Sequence, residues 1–552
     1  MRKTHIRLIF AGLFFFLARE SRSQSDSFAS SFNEAFRSPE KIRVLDIEEQ
    51  ELSEWPDSLS FLTSLETLRL RRCSGVDLNA LFEALPAPEK LLELDISWNQ
   101  LKVLPAGISK FENLRTLNLS ENSFAVLPPD LKELTRLSRL NLKHSIYMDM
   151  SQALGVLAKL PRLHSLILSY CQLEVLPEVI GDFQALRSLD LEGNYLLMLP
   201  RSLSRLKSLK KLVLRKNFRY EGIKAGTPLL KTLEQEQLFE LLGSMPGFDS
   251  LDISRCELSY LAGNVERMKG LKFLSLEKNR LLELPQGIGR LAELRHLDLS
   301  NPGTGTRTNK LNALPASFKF LSKLEYLNLN GNDFVDLHLR GPFPEMKTLL
   351  ISWNRLKQFP EGIRSMKKLQ TLRLNINLIT EIPEWIDEAE SLEELSINGD
   401  FFLNRNYKIQ TLPTALTRLT HLRILKLNDH VIEELPAEMG ELIRLEHFEM
   451  KDNLLQKLPE SIGNCKALRW MDLKANELKG LPLSFNKLKE LEYLNLSFNT
   501  ELSGLELIPA LKGCENLKTL DITFTAPLNL EGLNRIRAAL PGTMVVYARI
   551  KR

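Results

Sequence analysis

The side chains that could carry catalysis or bind metal are few and scattered along this 552-residue chain. Five cysteines and eight histidines are dispersed, and no Gly-x-Ser-x-Gly elbow, phosphate-loop Gly-Lys-Ser/Thr or His-Glu-x-x-His motif occurs. Gly303-Thr304-Gly305 does not open a helix with the dinucleotide fingerprint. We therefore expect no enzyme activity, no cofactor and no metal site.

Aromatic side chains offer a different chemistry, which is binding. Exposed aromatic residues are enriched at protein–protein hot spots. We predict that two groups of residues, and the segment between them, bind a partner. The first group is Tyr326, Asn328, Leu350 and Trp353, and the second is Trp470, Tyr493 and Phe498. The segment between them contributes Phe401, Phe402, Arg405 and Tyr407. The alternative is that these residues lie on a sheet face by chance, or that a loop covers them.

One leucine pattern positions these residues. A clear copy is Leu114-x-x-Leu117-x-Leu119-x-x-Asn122, and the commonest step between copies is 23 residues. Such a period predicts a leucine-rich-repeat solenoid. Twenty copies begin at Ile42, Leu65, Leu91, Leu114, Leu137, Leu163, Leu186, Leu209, Phe248, Leu271, Leu294, Leu324, Met346, Leu369, Leu392, Leu422, Leu445, Leu468, Leu491 and Leu517.

The chemistry of one copy predicts an α/β solenoid. The segment x-x-Leu-x-Leu is a short strand whose leucines point inward. The asparagine follows where the chain turns, and its amide can pair backbone groups that the turn leaves free. Leu-Pro then ends the strand. We expect a horseshoe with one long parallel sheet on the concave side and short helices or turns on the convex side.

The Leu-Pro-x-x-Ile/Leu-x-x-Leu form resembles the repeats of plant intracellular Ras-group-related proteins and animal Ras-pathway scaffolds. It looks closest to exported bacterial repeat proteins of the same style. The segment from Phe32 to Ile42 is similar to their capping segment. The resemblance covers about residues 30–550, and it implies protein–protein interaction.

The cysteines are predicted to be free. Cys73, Cys171 and Cys256 each occupy the asparagine position of a repeat, so they should be buried and several coils apart. Cys465 and Cys514 share one phase but lie two repeats apart. Two coils separate them by about 10 Å, which is beyond the reach of a disulfide.

The ends of the chain predict export and two caps. A basic start, the apolar run Leu8 to Ala18 and the small residues at Ser21 and Ser23 are typical of a secretion signal. We expect residues 1–23 to be a signal peptide cleaved near Ser23, so the protein is periplasmic, cell-surface or secreted, and cytoplasmic only if the signal is not used. Residues 24–41 would form a linker and cap helix, 42–527 the solenoid of about 20 repeats, and 528–552 a C-terminal cap with a helix and a strand.

Three repeats contain an insertion directly after the strand. The insertions are Phe218 to Gly226 (before a helix opened by Thr227-Pro228), Asn301 to Arg307, and Gly399 to Tyr407. Because they share one phase, they should project from one rim of the solenoid, where binding residues are common. Tolerated variation of exposed loops is the alternative.

The net charge of +4 comes from the first 23 residues. The remaining chain has 68 basic and 68 acidic residues, so its global charge predicts no nucleic-acid or anionic-membrane partner. Basic residues do cluster at Arg69, Arg71 and Arg72, and at Lys211, Arg215 and Lys216. We expect pairing with acidic residues of the chain rather than an anion site.

These observations predict a non-catalytic scaffold that binds a protein through its concave face and the loop-bearing rim. The alternative is recognition of a glycan or cell-wall polymer, in which aromatic platforms and rows of Asn and Asp would contact sugars. We expect no nucleic-acid partner, no transmembrane segment in the mature chain, and a monomer.

Overall fold

A computed structural model of the chain describes residues 27–221, 229–301 and 308–548. The chain divides into two compact units, Met1–Phe248 (the N-terminal unit) and Asp249–Arg552 (the C-terminal unit). The predicted signal peptide lies outside the described residues, and so do residues 222–228 and 302–307 of the predicted rim insertions. The domain boundaries drawn from the sequence stay predictions.

The N-terminal unit is built on one parallel sheet. Its described strands, β1 to β9, are Phe28–Ala29, Val44–Glu48, Thr67–Arg71, Glu93–Asp95, Thr116–Asn118, Arg139–Asn141, Ser165–Ile167, Ser188–Asp190 and Lys211–Val213. Each strand pairs with the next in exact register, as in Leu117 opposite Leu140. The strand at Phe28–Ala29 was not predicted; it adds to the sheet edge by pairing with Val44 and Leu45.

The C-terminal unit has the same arrangement over a longer series of strands. Its described strands, β12 to β24, are Ser250–Asp252, Phe273–Ser275, His296–Asp298, Tyr326–Asn328, Thr348–Leu350, Thr371–Arg373, Glu394–Ser396, Ile424–Lys426, His447–Glu449, Trp470–Asp472, Tyr493–Asn495, Thr519–Asp521 and Met544–Val546. All pair in parallel with their neighbours in this unit. The predicted leucine-rich-repeat solenoid is confirmed in each unit.

The asparagine of the repeat ties each coil to the one before it. The Asn122 amide nitrogen donates to the Ile96 carbonyl at 2.9 Å and to the Leu119 carbonyl at 3.1 Å. Its Oδ1 accepts the backbone N–H groups of Asn99 and Leu101 at 3.1 and 3.0 Å. One buried side chain therefore pairs four backbone groups that the turn would leave unsatisfied.

Short helices return the chain on the side opposite the sheet. The α-helices, α1 to α6, are Phe32–Ala35, Leu78–Ala84, Met150–Leu157, Gln235–Gly243, Ile508–Leu511 and Leu530–Ala539. The 3₁₀ helices are Pro39–Lys41, Asp57–Phe61, Pro88–Lys90, Ala106–Lys110, Pro129–Glu133, Glu178–Asp182, Arg201–Arg205, Gly263–Arg267, Gln286–Arg290, Ala316–Phe320, Glu361–Ser365, Glu384–Glu388, Arg405–Tyr407, Thr414–Arg418, Met439–Glu441, Glu460–Asn464, Leu483–Lys487 and Gly504–Leu507. Most 3₁₀ helices directly follow a proline, usually that of Leu-Pro, whose φ near −65° starts the turn, as at Pro128.

The five cysteines are free, as predicted, and all five are buried, as predicted for Cys73, Cys171 and Cys256. At the asparagine position, the Cys171 thiol donates to the Leu142 carbonyl of the preceding coil at 3.2 Å, so it keeps part of the role of the amide. Burial raises the pKa of Cys171 to about 11 and those of Cys465 and Cys514 to about 12. These thiols are therefore unreactive at neutral pH.

The prediction that a helix opens at Thr227-Pro228 was wrong. Residues Leu229–Lys231 form β11, which pairs antiparallel with β10, Arg219–Glu221. The helix begins only at Gln235, after Glu234. Pairing with β10 gives the run Leu229–Lys231 backbone partners that a helix start would not, so the segment is a hairpin strand.

Both ends of the described chain carry a helix and a strand. Ser31 caps α1 by accepting the Glu34 N–H. Asn529 caps Leu530–Ala539 by accepting the Gly532 N–H at 2.7 Å, and Met544–Val546 adds to the sheet beside Thr519–Asp521. Across the described residues, every helix is too short or too polar to cross a membrane.

Candidate functional site

The exposed face of the sheet in the C-terminal unit is formed by alternate residues of short strands. The second residue of each strand points into the core, as Leu327 and Leu494 do, and both are fully buried. The first and third residues therefore face the other way. Because neighbouring strands are in register, first residues of successive repeats lie side by side.

Three consecutive repeats place aromatic rings at the first position. Phe273 stacks on His296 with ring centroids 4.4 Å apart, and His296 stacks on Tyr326 at 4.0 Å with the planes 2° apart. We call these residues the first ring stack. Burial lowers the pKa of His296 to about 4, so its imidazole is neutral at neutral pH.

A second ring stack is formed by His447, Trp470 and Tyr493. The centroids of His447 and Trp470 are 5.6 Å apart, and those of Trp470 and Tyr493 are 3.7 Å apart, with planes within 10°. Trp470 remains 38% exposed. Trp470 and Tyr493, which the sequence placed in one group, therefore contact each other in the structure.

A half-buried carboxylate lies beside the second ring stack. The His447 Nε2 is 2.6 Å from Glu449 Oε1, and the Lys426 ammonium donates to the same oxygen at 2.9 Å. Burial alone would raise the pKa of Glu449, but hydrogen bonds from His447, Lys426 and Asn428 lower it well below its ordinary value. Glu449 is therefore ionised and holds His447 in place.

The middle ring of each stack, His296 or Trp470, presents its edge to solvent, because its two neighbours cover its faces. Rings that stack along the sheet axis cover one another, so the open direction, away from the core, meets C–H, N–H and O–H edges. Aromatic edges carry partial positive charge and prefer carbonyl oxygens or the faces of other rings. Such a surface suits backbone and aromatic groups of a protein better than the flat stacking of a sugar ring.

Trp353 and Phe498 occupy a different position, directly before the asparagine of their repeats. Both have left-handed backbone, with φ of 59° and 61°, and both are exposed, at 59% and 41%. The Phe498 ring lies 4.8 Å from Phe524 of the next repeat, and the Lys474 ammonium lies 5.1 Å above it. The two predicted groups are thus divided between the strand and the turn that follows it.

The polar residues at the third strand position have local structural roles. Asn328, predicted as a binding residue, is 9% exposed and accepts the Asn330 N–H at 3.1 Å. Asp298 and Asp472 accept the N–H groups two residues on in the same way, at 2.8 and 3.1 Å. Burial raises the pKa of both aspartates. Leu350, in register with Asn328, is partly exposed.

The loop from Gly399 to Tyr407 carries the most exposed aromatic residues of the predicted set. Phe401 and Phe402 are 68% and 90% exposed and contact each other edge to face at 5.5 Å. Asn404 caps the short helix Arg405–Tyr407. Arg405 lines an open groove of about 550 Å³ whose other lining residues are Gln410, Thr411, Val431, Glu433 and Glu434.

Sequence reasoning missed four residues of this surface: Phe273, His296, His447 and Phe524. A signal was present, because Phe273, His296 and His447 have the same phase as Tyr326, Trp470 and Tyr493. Comparing first strand positions across successive repeats would have found both stacks.

The first basic cluster of the N-terminal unit pairs internally, as predicted. Arg69 contacts Glu93 at 2.7 Å, Arg71 contacts Asp46 at 2.7 Å, and Arg72 contacts Glu48 at 3.0 Å; each distance joins a guanidinium nitrogen to a carboxylate oxygen. These pairs offer no open anion site.

The second basic cluster pairs only in part. Arg215 and Lys216 contact Glu192 at 3.6 and 3.3 Å. The Tyr170 hydroxyl donates to Glu192 at 2.8 Å and accepts from Lys216. Lys211 forms no ion pair with another described residue, so the prediction of pairing was wrong for this lysine. Lys211 is in register with Ser188, four residues before Glu192 along the neighbouring coil, whereas Arg215 and Lys216 lie further along their coil and contact Glu192.

Comparison with family models shows two matches. Residues 404–532 match the model described as "Leucine-rich repeat region", and residues 113–134 match the model described as "Leucine Rich Repeat".

Relatives and solved structures share the same pattern. Lumican of Oryctolagus cuniculus is 31% identical over 146 residues, which is 24% of this chain and 71% of that protein. Lumican of Homo sapiens is 30% identical over 146 residues. The chain spans 40% of the length of the human and Mus musculus lumicans that it matches.

Among solved structures, the TLR13–ssRNA13 complex resembles this chain with a TM-score of 0.60 and 20% identity, covering 92% of this chain and 80% of that one. A likeness at this identity shows a shared fold.

Proposed function

Because the chain belongs to the leucine-rich-repeat proteins, which are generally protein-interaction scaffolds, we propose that it is a non-catalytic scaffold that binds a protein partner. The binding surface is the sheet face of the C-terminal unit, with Trp353, Phe498 and the Gly399–Tyr407 loop contributing. Solenoids of this kind use such extended faces for binding.

The observation that carries the proposal is the second ring stack. Trp470 is large, partly exposed and held between His447 and Tyr493. A ring already fixed by its neighbours loses little conformational freedom on binding, so more of its contact energy contributes to affinity. Large aromatic residues in rigid surroundings are the usual binding hot spots.

Charge pairing beside the stacks supports an interface that does not depend on net charge. Arg423 contacts Glu446 at 2.9 Å, and Arg469 and Lys518 both contact Glu492. These ions neutralise one another along the start of the strands. Affinity at this face should therefore change little between low and physiological salt.

Glycan recognition stays the alternative, but two observations weigh against it. Trp470 is stacked between His447 and Tyr493, and the Asp and Asn residues of the third strand position accept backbone N–H groups. A glycan array with the purified chain separates the two functions, since saturable sugar binding lost in Trp470→Ala would replace the protein-binding proposal.

The test is partner capture by the full chain followed by affinity measurement. Trp470→Ala with Tyr493→Ala, and separately Tyr326→Ala with Trp353→Ala, should each weaken binding about tenfold or more without changing the melting temperature much. Trp385→Ala is the matched control, because Trp385 lies on a helix opposite the sheet. Unchanged affinity of both double variants would reject this face as the interface.

We also propose export, with cleavage near Ser23, as residues 1–23 predict, and a monomeric mature chain. Mass spectrometry of the intact protein and of its N-terminal peptide, in each cell fraction, tests the export. A protein that keeps Met1 to Ser23 in the cytoplasm would contradict it. Light scattering on the mature chain tests the monomer.

A further inference from the structure

Five repeats of the N-terminal unit carry an unusual run of basic residues where their strands begin. Each contributes two positions, the residue before the strand and the first residue of the strand, over strands Thr116–Asn118 to Lys211–Val213. None of the ten positions is acidic. The ten residues are Arg115 and Thr116, Ser138 and Arg139, His164 and Ser165, Arg187 and Ser188, and Lys210 and Lys211.

The five cations of this run, Arg115, Arg139, Arg187, Lys210 and Lys211, are named the basic strip. All five side chains are exposed. Over the ranges that the structure describes, none of them forms an ion pair.

The same positions in the C-terminal unit are paired. There, Lys272 contacts Asp249 at 3.2 Å, Arg295 and Lys347 contact Glu325 at 2.7 and 2.8 Å, and Arg423 contacts Glu446 at 2.9 Å. Alternating signs neutralise that edge repeat by repeat. The basic strip departs from this pattern, because no described residue of the chain forms an ion pair with its five cations.

The spacing of the strip concentrates its charge. Its five strands pair in register, and at about 4.8 Å per strand they span about 19 Å. Adjacent cations therefore lie within about one Debye length, roughly 8–10 Å, so their fields add instead of being screened apart. A row of cations of this kind attracts a chain of linked anions more strongly than it attracts a single anion.

We propose that the basic strip docks an acidic segment of a partner protein, at a surface separate from the aromatic face. Three of its five cations are arginines, whose planar guanidinium forks match carboxylates with two hydrogen bonds. Acidic side chains one helical turn apart repeat at about 5–6 Å, close to the spacing of the strands.

A nucleic acid fits the strip less well. Single strands bind where bases can stack on open aromatic faces. Two rings of these repeats, His144 and Tyr170, stack on each other at 5.0 Å, and the ammonium groups of Lys143 and Lys216 lie over the Tyr170 ring at 5.6 and 5.0 Å. These contacts leave less ring face open for a base.

The test measures binding of a labelled twenty-residue polyglutamate peptide to the full chain by fluorescence anisotropy. Binding should be saturable and should weaken at least tenfold between 50 and 200 mM salt (an order-of-magnitude expectation). The triple variant Arg115→Glu, Arg139→Glu and Arg187→Glu should lose at least about tenfold in affinity. The matched control, Lys102→Glu, Lys269→Glu and Lys466→Glu, makes the same charge change at exposed sites elsewhere and should stay within about twofold.

Three outcomes would overturn the proposal. They are no saturable polyglutamate binding, equal losses in the two triple variants, and tighter binding of an oligothymidylate of equal charge, which would assign the strip to nucleic acid. Both triple variants should keep the melting temperature of the parent, because every substituted side chain is exposed. If the triple variant alone unfolds, Arg115→Gln with Arg187→Gln repeats the measurement with a milder change.

Discussion

At the scale of single residues, His430 shows how strictly the coil requires its turn contacts. It occupies the position that asparagine holds in most repeats. Its Nδ1 accepts the Ile409 N–H at 3.3 Å, and its Nε2 faces the Ile397 carbonyl. Because a backbone N–H can only donate, Nδ1 must be unprotonated and the proton lies on Nε2. The neutral ring thus reproduces the donor and acceptor of an amide.

This arrangement predicts a pH-dependent stability. Burial lowers the pKa of His430 from 6.5 to about 4, so the unfolded chain binds the proton more readily than the folded one. The stabilisation is complete above about pH 6.5 and is lost as the pH falls towards 4. Relative to His430→Asn, the parent should lose about 2–3 kcal/mol between pH 7.5 and 4.5.

Denaturant unfolding of both proteins at the two pH values measures this difference. His296 also has a lowered pKa, but both proteins contain it, so its effect cancels. A difference in stability between parent and His430→Asn that does not change with pH would show that His430 does not titrate in this range.

At the scale of the repeat, the asparagine and the strand it follows form one unit. Asn279, fully buried, donates to the Ile253 and Leu276 carbonyls at 3.0 Å and accepts the N–H groups of Cys256 and Leu258. The strand is only three residues long, so it has few ladder hydrogen bonds of its own. The side chain therefore supplies the pairing that a longer strand would obtain from its neighbour.

Replacing Asn279 by alanine should destabilise the C-terminal unit by roughly 2–5 kcal/mol, because four buried backbone groups lose their partner. Asn464→Ala, at an exposed position of Glu460–Asn464, is the matched control and should change stability by less than about 0.5 kcal/mol. Thermal unfolding of the two variants gives the comparison; similar melting temperatures would refute the structural role.

At the scale of the whole molecule, stability is local in origin. Each coil buries its leucines only against the coils on either side, so no central core is shared by distant repeats. Leu494, for example, is fully buried between Met471 and Leu520 on the adjacent strands. A defect in one coil should therefore spread first to its neighbours.

Leu494→Ala should cost about 2–5 kcal/mol through lost burial and a cavity. Hydrogen exchange should accelerate most in strands Trp470–Asp472 and Thr519–Asp521, with less change in strands several coils away. Leu483→Ala, at a side chain 64% exposed, should leave exchange unaltered. Uniform acceleration throughout the C-terminal unit would mean that it unfolds as a single cooperative block.

The sequence by itself determined the repeat, the short parallel strands, the inward leucines, the asparagine turns and the buried cysteines. It could do so because each depends on contacts within a repeat or with the next one, and the period records those contacts. The first residue of each strand is different, since its type varies from repeat to repeat and the leucine period does not record it.

Only the tertiary structure placed Phe273, His296 and Tyr326 in one stack and separated Trp353 from it. It also divided paired charges, such as Arg423 with Glu446, from Arg115, Arg139 and Arg187, which form no ion pair with another described residue. The repeat spacing specifies which residues are in register, but stacking and ion pairing also depend on the direction of each side chain, which the spacing does not specify.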